Sequence, residues 1–178
     1  MENLTKVIHN CCKNTTIFWV DKHLQNGYTI CIMKTKELEN AMSKSVPCRR
    51  DYWKSLYFPS QHKITRTYNV LNEVLFNNKL KPCKIITKTT FKAWAYAYQE
   101  PGFRTEIHLN GRFPCEQFFI AVLGHEMVHQ WQWDIEAPIR RKQGKKERTG
   151  HGVNFYEWKD IFEHHGIHFG INIPHYYK

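Results

Sequence analysis

This chain contains the stretch Phe118-Phe119-Ile120-Ala121-Val122-Leu123-Gly124-His125-Glu126-Met127-Val128-His129, which joins an apolar run to two histidines and a glutamate. Pro114 precedes the stretch and Trp131 continues its pattern, and these features predict a buried helix. A helix turns by about 100° per residue, so His125 and His129 project from one face and can bind one tetrahedral zinc ion. The sequence therefore predicts a metal site on a buried helix.

Glu126 lies beside the two histidines, and its carboxylate can take a proton from a zinc-bound water molecule. This division of labour underlies the HExxH motif of zinc proteases. A catalytic zinc ion takes three protein ligands and leaves the fourth position for water. The metzincin continuation of the motif is absent, because this chain has Gln132 and Ile135 where that pattern places glycine and histidine. The third ligand must come from elsewhere.

His151 is the best candidate for this third ligand. Gly150 and Gly152 flank it and let the backbone pass close to a metal ion, and a helix ending near residue 166 is expected to follow. Glu147 and Glu157 are the alternatives and would give a site of two histidines and one carboxylate. Glu147 falls in a charged run, and Glu157 falls on the expected helix.

The motif at 125–129 and the segment around His151 together resemble the SprT-like (Spartan-type) zinc metalloprotease family. The segment 125–129 is similar to that family's HExxH motif, and Gly150-His151-Gly152 with Phe155 is similar to its GHGxxF-type element. Weaker similarities lie at 75–80 and 107–110, and the resemblance covers about residues 62 to 170. The two segments that carry the expected metal ligands are together specific for this family, whereas the similarities at 75–80 and 107–110 are not.

The resemblance implies that His125, His129 and His151 bind one zinc ion and that Glu126 is the catalytic acid and base. It also implies a minimal zincin-like core and cleavage of exposed protein segments with little sequence preference. Many SprT-like proteins continue into a cysteine zinc ribbon, but the six cysteines of this chain form no CxxC pair. We therefore expect no second, structural zinc ion, and we expect reduced thiols in a cytoplasmic protein.

A basic run lies between the second and third expected ligands, and the chain has a formal net charge of +10. Such a run is typical either of a solvated loop or of a surface that contacts nucleic acid. Its position between ligands places it at the mouth of the expected site, where it could bind DNA without sequence preference. The six cations are Arg140, Arg141, Lys142, Lys145, Lys146 and Arg148.

The expected fold class is α+β, with a small three-stranded sheet packed on helices. Ser60 can cap a helix that runs to about Asn78, since apolar residues recur in it at intervals of three and four. Strands are predicted at 85–87, 94–98 and 104–109, before the motif helix. Residues 59–178 would form the catalytic domain.

Residues 1–58 carry no recognisable chemistry and are interpreted as an N-terminal extension. Strands at 15–20 and 28–33 would form a β-hairpin, and a helix would follow from about Thr35 to Ser45. The absence of a low-complexity linker favours an extension attached to the core over a separate domain. Its role is left open.

Length and composition suit a small enzyme with a substantial core, since 42% of the 178 residues are hydrophobic. No apolar run approaches the about 18 residues needed to span a bilayer, so we expect no membrane partner. The expected activity is a zinc endopeptidase acting on proteins, including proteins attached to DNA. The alternatives are a nucleic-acid-binding protein with a structural zinc ion and a narrow peptidase that cleaves one partner protein.

Overall fold

The computed structural model describes residues 5–11, 14–20, 36, 38–42, 56–88, 93–100 and 102–169. No helix among these residues is long and apolar enough to cross a membrane. The strands are β1 (Thr5–Cys11), β2 (Asn14–Val20), β3 (Lys84–Lys88), β4 (Ala95–Tyr98) and β5 (Glu106–Asn110). The helices are α1 (Gln61–Phe76), α2 (Glu116–Trp131), a π-helical segment (Gln132–Glu136), α3 (Ala137–Lys142), α4 (Val153–Tyr156) and α5 (Lys159–His164).

Helix α1 confirms the prediction made from Ser60. The Ser60 side chain accepts a hydrogen bond from the backbone N–H of Lys63 at 3.2 Å, which satisfies one of the free N–H groups of the first turn. Asn77 ends the helix in the left-handed conformation with φ of 51°. The residues that gave the apolar pattern are all buried in the core, namely Ile64, Tyr68, Leu71 and Leu75.

The predicted three-stranded sheet is also confirmed, and it is mixed. Its strand order is β3-β5-β4, with β3 parallel and β4 antiparallel to the central strand β5. Ile107 and Leu109 of β5 are fully buried and point into the core, as period-two alternation requires. The molecule is therefore α+β, with a small mixed sheet and helices around one core.

Helix α2 runs through that core. All its residues from Gln117 to Gln130 are buried, including both histidines and Glu126. Gly124 permits the close approach of α5, because a Cβ atom there would lie 2.6 Å from Cε1 of Phe162. The chain continues from α2 through the π-helical segment into α3, so the helical path extends past the motif.

The single helix predicted between His151 and residue 166 is wrong. The structure has two short helices, α4 and α5, with a turn at Glu157 and Trp158 between them. The Trp158 ring packs 4.5 Å from that of Phe76 and 5.2 Å from that of Trp131, measured between centroids. This packing comes from distant parts of the chain, which local periodicity does not report. The expected end is correct, since Gly166 has a left-handed φ of 70°.

The N-terminal region is described in part. Strand β2 covers the predicted strand 15–20, but its antiparallel partner is β1, a strand that the sequence did not predict. The other predicted strand, 28–33, lies outside the described residues. Residues 36 and 38–42 are helical within the predicted range Thr35–Ser45, and Leu38 and Ala41 belong to the main core.

Candidate metal centre

The structure brings together the three histidines that the sequence nominates. His125 and His129 lie one turn apart on α2, and His151 lies in the segment before α4. The Nε2 atom of His151 is 2.9 Å from that of His125 and 3.1 Å from that of His129. Two nitrogens bound to one tetrahedral zinc ion at about 2.0–2.1 Å would lie about 3.3 Å apart. The three imidazoles are thus close enough to hold a metal ion with only a small adjustment.

Neither glutamate alternative joins this cluster. Both Nε and Nη2 of Arg141 donate to one carboxylate oxygen of Glu147, at 2.9 and 2.7 Å. Glu157 is exposed at the end of α4. Among the described residues, the group that can share one metal ion consists of the three histidines.

Phe155 forms the apolar floor of the cluster. Its fully buried ring lies 4.7 Å from the rings of His125 and His151 and 5.0 Å from that of His129, between centroids. The Phe169 ring stacks on the Phe155 ring at 4.7 Å. Phe155 is the aromatic residue of the GHGxxF-type element, and its ring contacts all three imidazoles.

The cluster favours neutral imidazoles, which are the form that binds metal ions. Burial lowers the pKa of His129, and the nearby His151 lowers it further, while a hydrogen bond with Gln132 acts in the opposite direction. Burial also lowers the pKa of His151. The lone pairs of these rings are therefore available for a metal ion at neutral pH.

Sequence reasoning missed the role of Gln132, which follows His129 by three residues on the same helical face. Its side-chain oxygen lies 3.0 Å from Nδ1 of His129 and accepts the backbone N–H of Gly150 at 3.1 Å. Its side-chain nitrogen donates to the carbonyl oxygen of Gly150 at 2.8 Å. Gln132 is fully buried, and it connects His129 on α2 with the turn that carries His151.

Glu126 follows His125 on α2 and is 6% exposed. Burial raises the pKa of Glu126 to about 8, and a hydrogen bond from the backbone N–H of Ala97 partly opposes this shift. Ala97 belongs to β4, the strand at one edge of the three-stranded sheet. The Glu126 side chain therefore lies between helix α2 and an edge strand of the sheet.

His108, Tyr96, Tyr98 and Tyr156 have contacts outside the group of three histidines. His108 stacks on Tyr96 at 4.6 Å between ring centroids, and its Nδ1 lies 3.2 Å from the Tyr96 hydroxyl. The Tyr98 hydroxyl donates to Glu100 at 2.8 Å. Tyr156 is exposed, and its ring packs edge-on against Phe155, the floor of the cluster, at 5.6 Å.

The basic run is only partly a loop. Arg140, Arg141 and Lys142 form the last turn of α3, and the run becomes irregular after them. The Arg140 side chain donates to the backbone oxygen of Lys146 at 2.7 Å, so the two halves of the run are tied together. The expectation of a loop across all six cations is wrong at its start, because helix α3 extends to Lys142.

A cleft of about 580 Å³ opens beside the π-helical segment, and none of the three histidines nor Glu126 lines it. Its wall includes Trp133, whose ring stacks on His129 at 6.0 Å between centroids. The cleft also carries Phe103, an exposed aromatic residue, and three cations from separate segments. These cations are Lys81, Arg104 and Arg141.

The chain matches no protein-family model, and comparisons with curated proteins and with solved structures also give no match.

Proposed function

We propose that this chain is a single-zinc endopeptidase in which His125, His129 and His151 hold the ion and Glu126 is the general base. The observation that carries the proposal is the convergence of three Nε2 atoms beside a buried glutamate. The HExxH segment at 125–129 and the GHGxxF-type element around His151 support an endopeptidase of SprT-like type. In that case the α+β core is a minimal zincin, and residues 1–58 extend a catalytic domain of residues 59–178.

The chemistry follows from the residues of the chain. A bound zinc ion would polarise a water molecule and the carbonyl of a peptide bond. Glu126 accepts the proton of the attacking water and returns it to the amine that leaves. A hydrogen bond from the backbone N–H of Ala97 favours the ionised carboxylate and holds one orientation of it. Burial lowers the pKa of His129 and of His151, which favours the neutral rings that bind metal ions.

The number of donors favours catalysis over a structural role for the metal ion. A structural zinc site is closed by four protein ligands, whereas a catalytic site has three and an open position. Within the described ranges, the cluster contains three donors, and neither His108 nor His164 belongs to it. This supports the endopeptidase over a nucleic-acid-binding protein that uses zinc as a structural element.

We further propose that the protein substrates include proteins attached to DNA. The net charge of +10 and the exposed cations at 141–148 support this choice, since phosphate attraction depends on such charges. The cleft whose wall includes Trp133, the ring that stacks on His129, adds three cations and an exposed aromatic ring. A narrow peptidase directed at one partner protein is the second candidate, with the N-terminal residues as its recognition element.

The test is to incubate the full chain with a protein crosslinked to DNA and with the same protein free, with and without a chelator. DNA-stimulated cleavage that the chelator stops and that Glu126→Gln lacks is the expected result. DNA binding by a zinc-loaded chain without any cleavage would favour the structural-zinc alternative. If the chain shows neither DNA binding nor cleavage, the narrow peptidase is the better interpretation. Cleavage that persists without metal would overturn the proposed mechanism.

A further inference from the structure

We propose that Gln132 is a positioning residue for the metal centre, which fixes the tautomer of His129 through a hydrogen bond and holds the turn that carries His151 at ligand distance before metal binds. This inference rests on the proposed zinc site. It assigns to a side chain outside the ligand set the task of preorganising two of the three ligands.

The hydrogen-bond pattern of the Gln132 amide fixes its orientation. The atom facing the Gly150 N–H must be an acceptor, so it is the oxygen, and the atom facing the Gly150 carbonyl must be the nitrogen. The same oxygen lies 3.0 Å from Nδ1 of His129. Because an amide oxygen only accepts, Nδ1 of His129 carries the proton and its Nε2 keeps a free lone pair. That Nε2 is the atom which faces His151.

The second half of the contact controls the position of His151. Gln132 binds both the N–H and the carbonyl of Gly150, the residue immediately before this ligand. Gly150 has φ of 81°, a left-handed conformation that favours glycine and that lets the chain turn toward the cluster. A paired contact fixes both the distance and the orientation of that peptide. The His151 ring therefore enters the cluster from a backbone that Gln132 holds in place.

The local helix geometry agrees with a specialised role. Gln132 is the first residue of the π-helical segment that interrupts the passage from α2 to α3. Such single π turns are often found at functional sites. Gln132 is also fully buried, so its three hydrogen bonds form without competition from water.

Asn72 offers a matched control within the same chain. Its side-chain nitrogen donates to the carbonyl of Leu80 at 2.9 Å, and its oxygen accepts the Leu80 N–H at 3.1 Å. This is the same paired contact between a buried amide and one backbone residue, but it lies on α1 and touches none of the three histidines. Removal of either pair of hydrogen bonds should lower stability, and only removal of the Gln132 pair should change metal binding.

The experiment measures zinc dissociation constants by competition with a chromophoric chelator, in the full chain and in Gln132→Met and Asn72→Leu. Removal of an outer hydrogen bond to a ligand typically weakens metal affinity by about 10–100-fold, which we expect for Gln132→Met. We expect Asn72→Leu to bind zinc like the unmodified chain. Absorption of the cobalt-substituted forms adds a direct report on ligand geometry, and it should change in Gln132→Met alone.

Gln132→Glu is the second variant, and it serves if Gln132→Met does not fold. It keeps the acceptor for His129 but replaces the donor to Gly150 with an oxygen, so its zinc affinity should lie between that of the unmodified chain and that of Gln132→Met. If Gln132→Met does not fold, the zinc affinity of Gln132→Glu should lie below that of Asn72→Leu. Unchanged affinity in the folded Gln132 variants, or an equal loss in Asn72→Leu, would overturn the inference while leaving the zinc site intact. An unmodified chain that binds no zinc would overturn the proposed function as well.

Discussion

The Nε2 atoms of His151 and His125 lie 2.9 Å apart, although the two residues are separated by 26 positions in the chain. His125 comes from a buried helix, whereas His151 comes from an exposed segment between α3 and α4. Two neutral imidazole nitrogens at this distance gain little from each other, since each needs a proton or a cation between them. A shared metal ion would satisfy all three rings at once.

His151→Ala should therefore abolish stoichiometric zinc binding. Two histidines remain in that variant, and they do not form a complete site. Zinc content per chain can be measured by atomic emission after dialysis against metal-free buffer. Glu147→Gln and Glu157→Gln are the matched controls, because these side chains were the alternatives, and both should retain one zinc ion per chain. Retention of zinc by His151→Ala would show that another residue is the third ligand.

Glu126→Gln should keep zinc and lose proteolysis. The amide is nearly isosteric and does not remove a metal ligand, but it cannot accept the proton of the attacking water. Loss of general base catalysis typically costs about 10²–10⁴-fold in rate, which we expect in kcat. Zinc content and the thermal unfolding midpoint should be measured on the same preparation. Undiminished cleavage in a zinc-loaded Glu126→Gln chain would contradict the assigned role.

Local signals account for the parts of the fold that the sequence predicted. Ser60 and the spacing of apolar residues define α1, and alternation together with turn residues defines the strands of the mixed sheet. The motif helix was visible from its apolar run. Each of these elements is determined by neighbours within a few residues, which is what a sequence pattern can report.

The missed features depend on contacts between distant residues. The turn at Trp158 follows from its packing on Phe76 and Trp131, and α3 carries the basic run further into a helix than its composition suggested. The contact between Gln132 and Gly150 spans 18 positions. In the sequence, Gln132 is only a polar residue one turn after His129, and nothing there indicates that it contacts Gly150.

The exposed cations of the basic run should contribute to DNA binding unequally. Arg140 and Arg141 are already bound to Lys146 and Glu147, so they hold the segment together. Replacing the other four cations with glutamine should weaken binding of a DNA duplex and make it less dependent on salt, by a slope of about 0.9 for each phosphate that is no longer neutralised. Those four are Lys142, Lys145, Lys146 and Arg148. Fluorescence anisotropy at several salt concentrations gives the slope, and an unchanged slope would argue against this surface.

Cys83 should react slowly with alkylating reagents at pH 8. Burial raises the pKa of this thiol to about 12, whereas an ordinary cysteine ionises near about 8.5. Since only the thiolate reacts, the rate in the folded chain should keep rising by about tenfold per pH unit above pH 9, where an ordinary thiol levels off. Mass spectrometry of the peptide that contains Cys83 follows the reaction. The same chain unfolded in urea is the control, and a plateau below pH 10 in the folded chain would contradict the prediction.

Gly124→Ala should destabilise the chain, although alanine usually favours a helix. The intrinsic preference is worth about 1 kcal/mol in favour of alanine. The new Cβ, however, would lie 2.6 Å from Cε1 of Phe162, whose fully buried ring is packed against Phe169 at 4.5 Å. Overpacking of this kind costs about 1–3 kcal/mol, so we expect a net loss of up to about 2 kcal/mol in the free energy of unfolding.

Urea unfolding of Gly124→Ala, Phe162→Leu and the double variant separates this clash from other effects. The smaller leucine side chain should leave room for the methyl group, so the alanine substitution should cost less in that background than in the unmodified chain. If alanine destabilises both backgrounds equally, the contact with Phe162 does not explain the glycine. If alanine stabilises the unmodified chain, the close approach of α5 to α2 is not a constraint on the helix that carries His125.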